Sequence, residues 1–344
     1  MLDIFNQDAF SVTSLSMVVN ELKYRPNRLG QLGLFETESV STLSVAIERI
    51  GDIIQLIKPS PRGTLGEPVD SPKRTIENIT IPHFSRPWSV YADEVQGVRA
   101  LGSETQLETV QGVVARRMAQ NTSDFELTEE YTRLGAVTGI VTYADGSTLN
   151  LYTKFGIAVP DPIDFDLDNA TPADGALLLK MTSTIRLVRQ KLGGLNFDYI
   201  HAFVGDNFFD KLLTHKEVRA TYNHDTQSEF LRTSFVGPNR SSSNPTFQFG
   251  NIVFENYGAI DASGDGALLG IGADDARFVP MGVTGLFRTY YGPADYMETV
   301  NTVGQRLYAK QRPDEWGKSI MGEMQSNALS ICTRPGILLK GTLT

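Results

Sequence analysis

The sequence holds one cysteine, Cys332, so no internal disulfide can form and a fold stapled by cross-links is excluded. A reducing compartment fits. Histidine is nearly as scarce, and His83, His201, His215 and His224 are scattered without the spacing that zinc ligands or a catalytic triad require. No window approaches the roughly 18 uninterrupted apolar residues of a membrane span. The first twenty residues mix Asp3, Asn6, Gln7 and Asp8 with the apolar ones and lack a basic start, so no signal peptide is expected. Positive charge is also short, with 31 basic against 40 acidic side chains and a net charge of −9. That balance argues against broad attraction to a phosphate backbone and leaves room only for a small local basic patch.

What is present is a chain of 344 residues, 41% hydrophobic, long enough for a sizeable core and for two domains. The stretch from Ser103 to Tyr152 organises it. Leu107, Val110, Val114, Met118, Phe125, Tyr131 and Leu134 recur at three- and four-residue steps, which places them along one side of a helix. Ser103 followed by Gln106 fits a capping box, and Gly135 and Gly139 read as stop signals. A helix from Glu104 to Leu134 would be about 45 Å long at about 1.5 Å per residue, more than one compact core needs. Ile140, Val141 and Tyr143, then Asp145-Gly146, then Thr148, Leu149 and Leu151 predict a tight hairpin behind it.

Before this rod, residues 1–40 have weak periodicity and read as an arm that gains its order by lying on something else. Leu43 to Ile57 alternates as a strand, and Ile76, Ile79 and Ile81 resume one, with Trp88, Val90 and Tyr91 returning toward the rod. Pro59, Pro61, Gly63, Gly66, Pro68 and Pro72 lie between, so the pair predicts a projecting flap. After the hairpin, Pro160, Pro162 and Pro172 mark a linker into a second region. There the pattern predicts a helix over Ala176–Leu192, a buried strand over Tyr199–Val204, a short helix over Asn207–Leu213 and a loop over Tyr222–Gln248. Strands follow at Ile252–Tyr257 and around Leu268, Leu269 and Ile271, and Leu329, Ile331 and Cys332 form a strand returning to the first region.

No constellation carries catalysis. Gly270 and Gly272 open like a dinucleotide fingerprint, but Asp275 stands where the third glycine belongs, and a turn after a strand explains them. Asp164, Asp166 and Asp168 imitate the start of a calcium loop, yet Asn169 and Gly175 replace its glycine and glutamate, so a solvated strand face is the expected reading. Cys332 sits in an apolar run as an inert core thiol. Glu126, Glu129 and Glu130 have the makings of a paired-carboxylate site, but exposed charges on a helix account for them more simply. The expected site inventory is therefore empty: no catalytic, cofactor-binding or metal residues, and no cofactor.

Ile81-Pro82-His83, Ala92 to Ala100, Leu127 to Tyr131, Leu134 to Val141 and Ala144 to Ser147 resemble the major capsid protein E family of lambda-type tailed phages. Arg312-Pro313, Trp316-Gly317 and Ile331 to Pro335 are similar to that family's closing segment. The resemblance implies an α+β, Hong Kong ninety-seven-like capsid fold. It would comprise an N-terminal arm at 1–40, an extended β-hairpin loop at 41–95, a peripheral domain with a long spine helix at 96–159, an axial domain at 160–310, and a C-terminal return to the peripheral domain at 311–344.

It implies a major head protein of a tailed double-stranded DNA phage or prophage, self-assembling as hexamers and pentamers into an icosahedral virion shell in the host cytoplasm. The implied partners are other copies of the chain, a separate scaffolding protein, a decoration protein, a portal and a maturation protease, with DNA enclosed but not read and no membrane. Covalent cross-linking through Lys58, Lys73 or Lys154 is not expected. An encapsulin-like compartment with enzyme cargo is the alternative.

Overall fold

The computed structural model describes residues 28–50, 74–96, 109–224, 244–258, 260–261 and 268–344. Arg28–Gln31 forms one helical turn (α1) and Glu36–Ser39 a strand (β1). Ser44–Ile50 (β2) and Arg74–Thr80 (β3) pair antiparallel with Val45 opposite Ile79. Both side chains are buried, so the base of the predicted flap sits on the main core. The Pro/Gly-rich run and Ile53 to Ile57 lie outside the described residues, as does most of the predicted arm. Phe84–Tyr91 (β4) leads through the turn Ala92–Val95 (α2) toward the rod.

The rod is helix α3, Val110–Thr138, 29 residues and about 43 Å long. It begins later than Glu104. Thr109 is extended and its hydroxyl accepts from the Gly112 N–H, so threonine caps the helix; Ser103, Gln106 and Leu107 fall outside the described residues. It also ends later than Leu134. Gly135 is helical, and a side chain there would meet the Val141 Cα at 2.7 Å, so this glycine serves the close return of the next strand. Gly139, with φ of 87°, is the actual stop.

Ile140–Thr142 (β5) and Thr148–Asn150 (β6) make the hairpin, with the Asp145 carboxylate accepting from the Ser147 N–H and hydroxyl. Leu151 does not extend β6, because the Asn150 side chain caps a helical turn, Leu151–Lys154 (α4).

The second region holds Ile163–Asp164 (β7), Ala176–Lys191 (α5), Tyr199–Val204 (β8), Asp206–Thr214 (α6) and Lys216–His224 (α7). The long loop expected after Tyr222 is shorter at both ends: α7 reaches His224, and Thr246–Phe249 (β9) pairs with Ile252–Asn256 (β10). Residues 225–243 lie outside the description. Ile260–Asp261 (β11) pairs with Leu268–Leu269 (β12).

The strands Asp275–Met281 (β13), Phe287–Tyr291 (β14), Tyr308–Pro313 (β15), Ser319–Ser326 (β16), Ala328–Cys332 (β17) and Leu339–Thr342 (β18) complete the chain. Of these, sequence periodicity identified β17 alone.

A six-stranded mixed sheet in the order β7-β18-β13-β8-β10-β9 carries the second region. Two three-stranded sheets, β1-β14-β17 and β15-β16-β4, flank the rod. Helix α3 spans two cores. Val113, Val114, Met118 and Phe125 join Val90, Leu307, Ala309 and Met324 in a small cluster, and Leu134, Ala136 and Val137 enter the large one. The C-terminal stretch divides likewise, since β17 packs on α3 whereas β18 enters the six-stranded sheet between β13 and β7.

Candidate functional site

The residues singled out in sequence do not converge. Asp164 ends β7 and Asp166 has φ of 53°, so the strand is shorter than the acidic run, but Asp164 and Asp168 are exposed as the solvated-face reading expected, with Phe165 and Leu167 buried between them. The Asp164 and Asp166 side chains are engaged locally, accepting from the Asp166 N–H and the Asn169 amide. Gly272 accepts the Asp275 N–H in a turn, and Gly270 follows β12, as the plain reading expected. His83 faces Asn327, His215 lies buried at the start of α7, and His224 ends that helix. Cys332 is fully buried in β17, and burial pushes its thiol up to about 12. Among the described residues no group of three or more His, Cys, Asp or Glu side chains could hold a metal ion.

The glutamates of α3 overturn their expectation. Glu129 and Glu130 are not solvated helix charges: they are 6% and 0% exposed. The buried stripe that runs through Met118 and Phe125 continues at the same spacing onto Glu129, Arg133 and Val137, so the helix turns these charged groups inward. Burial at such positions is tolerable only with partners.

Glu129 has three. Arg133, one turn along, donates to its Oε1 at 2.7 Å, the Tyr291 hydroxyl to the same oxygen at 2.5 Å, and Arg306 Nε to Oε2 at 3.0 Å. Arg306 also lies 3.9 Å from Glu126. Glu130 points elsewhere and accepts the Leu29 N–H at 2.9 Å and the Tyr257 hydroxyl at 2.7 Å. Burial holds the Glu130 carboxyl above its ordinary value, against the pull of those two donors. Burial and the facing carboxylates raise the Tyr257 and Tyr291 hydroxyls, which therefore stay protonated as donors.

Beside them stands a third buried carboxylate that the sequence did not signal. Glu255 on β10 receives Arg28 through two nitrogens at 2.5 and 2.6 Å, His201 Nε2 at 2.9 Å and Asn244 at 3.1 Å. Burial works against its charge, but the His201 and Arg28 contacts outweigh that and hold its carboxyl below the ordinary value. The Arg28 and Glu255 positions are 227 apart in sequence, so no local pattern announces the pair.

Together these contacts tie one helix to α1, β14, β10 and the approach to β15. Each carboxylate is committed to fixed donors, and none of the three α3 glutamates lines the groove of about 1190 Å³ found between β2, the end of α5 and residues 283–288 and 333–337. The arrangement is a junction that fixes the two sheet systems to the rod, rather than a place for a substrate.

A family model described as phage major capsid protein E matches residues 11–343. The major capsid protein of Pseudomonas phage KPP10 is 26% identical over 324 residues, covering 90% of this chain and 90% of that protein. The major capsid protein of Salmonella phage Felix O1 is 26% identical over 353 residues, covering 94% and 95%. Among solved structures, one assigned as the capsid protein of an E. coli CFT073 prophage superposes with a TM-score of 0.58 at 14% identity, covering 97% of this chain and 99% of that one. That likeness shows the fold, α+β and Hong Kong ninety-seven-like. With the family model spanning nearly its whole length, this chain belongs to the phage major capsid protein E family.

Proposed function

We propose that this chain is the major head protein of a tailed double-stranded DNA phage or prophage, assembling as hexamers and pentamers into an icosahedral shell around the genome. The observation that carries the reading is the family match over residues 11–343. The rod and its junction support it, since a subunit that bears shell stress needs its sheets held fast to one another. In this reading 1–40 is an arm, 41–95 the extended loop, 96–159 the peripheral domain, 160–310 the axial domain, and 311–344 the closing segment.

A separate scaffolding protein, a portal, a maturation protease and a decoration protein are its partners, and assembly takes place in the host cytoplasm. The subunit has no enzymatic activity and forms no covalent cross-links. Its net charge of −9 suits a container that holds DNA without gripping it. The cargo compartment is not favoured, because the named relatives are phage capsid proteins. Expression with and without a scaffold, followed by negative-stain microscopy, tests the proposal: closed particles of megadalton size are expected, and monomers under both conditions would reject it.

A further inference from the structure

Charge along the second region is sorted by sign. Residues 159–174 contain Asp161, Asp164, Asp166, Asp168 and Asp174 and no lysine or arginine. Residues 175–195 contain Lys180, Arg186, Arg189 and Lys191 and no acid. Asp174 pairs with Lys216 at 2.8 Å, but among the described residues the bases toward the end of the helix do not pair with the acids before it. Helix α5 is 16 residues, about 24 Å, long. Lys180 donates to the Asp164 carbonyl at 2.7 Å, which pins the acidic segment beside the start of the helix, whereas Arg334 donates to the Leu192 carbonyl at the far end.

The helix dipole accounts for only part of this, because it favours acids in the first turn and bases in the last. The acid at the first turn of α5 is Glu217, which accepts from the Leu177 and Leu178 N–H groups, so the acids of residues 161–168 are not needed there, and Arg186 precedes the last turn. Arg186, Arg189 and Lys191 are exposed, as are Asp161, Asp164 and Asp168. Among the described residues, none of these three bases pairs with an acid and none of these three acids pairs with a base.

Each patch also bears uncovered apolar surface. Val159 is 60% exposed beside the acids and Leu195 is 41% exposed beside the bases. Arg189 and Lys191 lie about 14 and 17 Å along the helix from Lys180, beyond the Debye length of about 8–10 Å, so their attraction to the acids of the same chain is screened. Between copies the patches can meet. A contact made by two different patches is heterologous, and repeated it closes a ring or runs on as a filament.

We propose that the basic end of α5 in one copy docks on the Asp161–Asp168 segment of a second copy, and that this pairing sets the order of subunits around a ring. The contact rests on the shell reading above and names the surface that reading leaves open. Exposed charge pairs add little stability, but they steer encounter and reject wrong registers, which is what ring closure requires.

The test uses the full chain co-expressed with its scaffold. The variant R186E/R189E/K191E and the variant D161K/D164K/D168K should each stay folded by circular dichroism, yet lose particle yield by about tenfold or more, since like charges then face each other. The chain carrying all six changes should recover particles. Because Cys332 is buried, a chain with Arg189→Cys and Asp164→Cys should form disulfide-linked ladders of subunits under oxidation.

Wild-type yield from either triple variant, or no recovery in the six-fold variant together with no ladder, overturns the contact. So does a basic-end variant whose shells are normal and only their DNA content altered, which would assign that patch to nucleic acid. Absence of particles from the unaltered chain would instead sink the shell reading, and this contact with it.

Discussion

Buried carboxylates behave differently according to what faces them, and Glu255 and Glu130 show the contrast. Glu255 is matched by a guanidinium and an imidazole, so Glu255→Gln strands the Arg28 charge, whose side chain is only 13% exposed. A loss of about 3 kcal/mol is expected from breaking a buried pair on one side, measured by denaturant unfolding of the unassembled subunit. Glu130 accepts from neutral donors, a backbone N–H and a tyrosine hydroxyl, and the nearby Arg133 charge lowers its carboxyl less than they do. Since burial raises its carboxyl, its contribution is full below the ordinary carboxylate range and fades as pH rises through the raised value. Glu130→Gln keeps an acceptor and removes that titration. The stability of the native chain relative to this variant should therefore improve as pH is lowered from 8 to 5, and unfolding curves at both values check it. Glu130→Ala, which orphans both donors, should cost about 2–4 kcal/mol at either pH.

The rod depends on where it stops. At Gly139 the backbone is left-handed and a side chain would strike the ring of Tyr152, which is 3% exposed. Gly139→Ala should destabilise by about 2–4 kcal/mol, combining backbone strain with overpacking against the ring. Gly146, with φ of 82° and nothing within 4 Å, is the control: alanine there meets only the backbone cost of about 1 kcal/mol. Similar losses at both glycines, read from thermal unfolding, would mean that Tyr152 yields and the stop is not braced by its ring. Helix α5 was easier to foresee than α3, because its buried stripe of Leu177, Met181, Thr184, Val188 and Leu192 carries no charge and is apolar but for Thr184, so the 3.6-residue period marks its inner face.

At the scale of the molecule, the base of the flap is anchored through Val45 and Ile79 while its tip lies outside the described residues. Deleting residues 61–71 should leave the subunit folded, by circular dichroism and thermal unfolding, yet abolish or distort particles, because in the proposed reading this segment finds its burial on a neighbour. Normal shells from that deletion would reject the flap's role. The order of segments, the rod, the hairpin, the helix of the second region and the family itself were all legible in the sequence, since each is a pattern of neighbours within a few turns or strands. The junction was not. Whether Glu129 and Glu130 face water, that β1 runs parallel to β14, and that β18 pairs with β7 depend on residues more than a hundred positions apart meeting in space. Local periodicity states which face of an element is apolar; the path of the chain alone decides what arrives at that face, and so whether a charged residue on it is buried with partners or left in solvent.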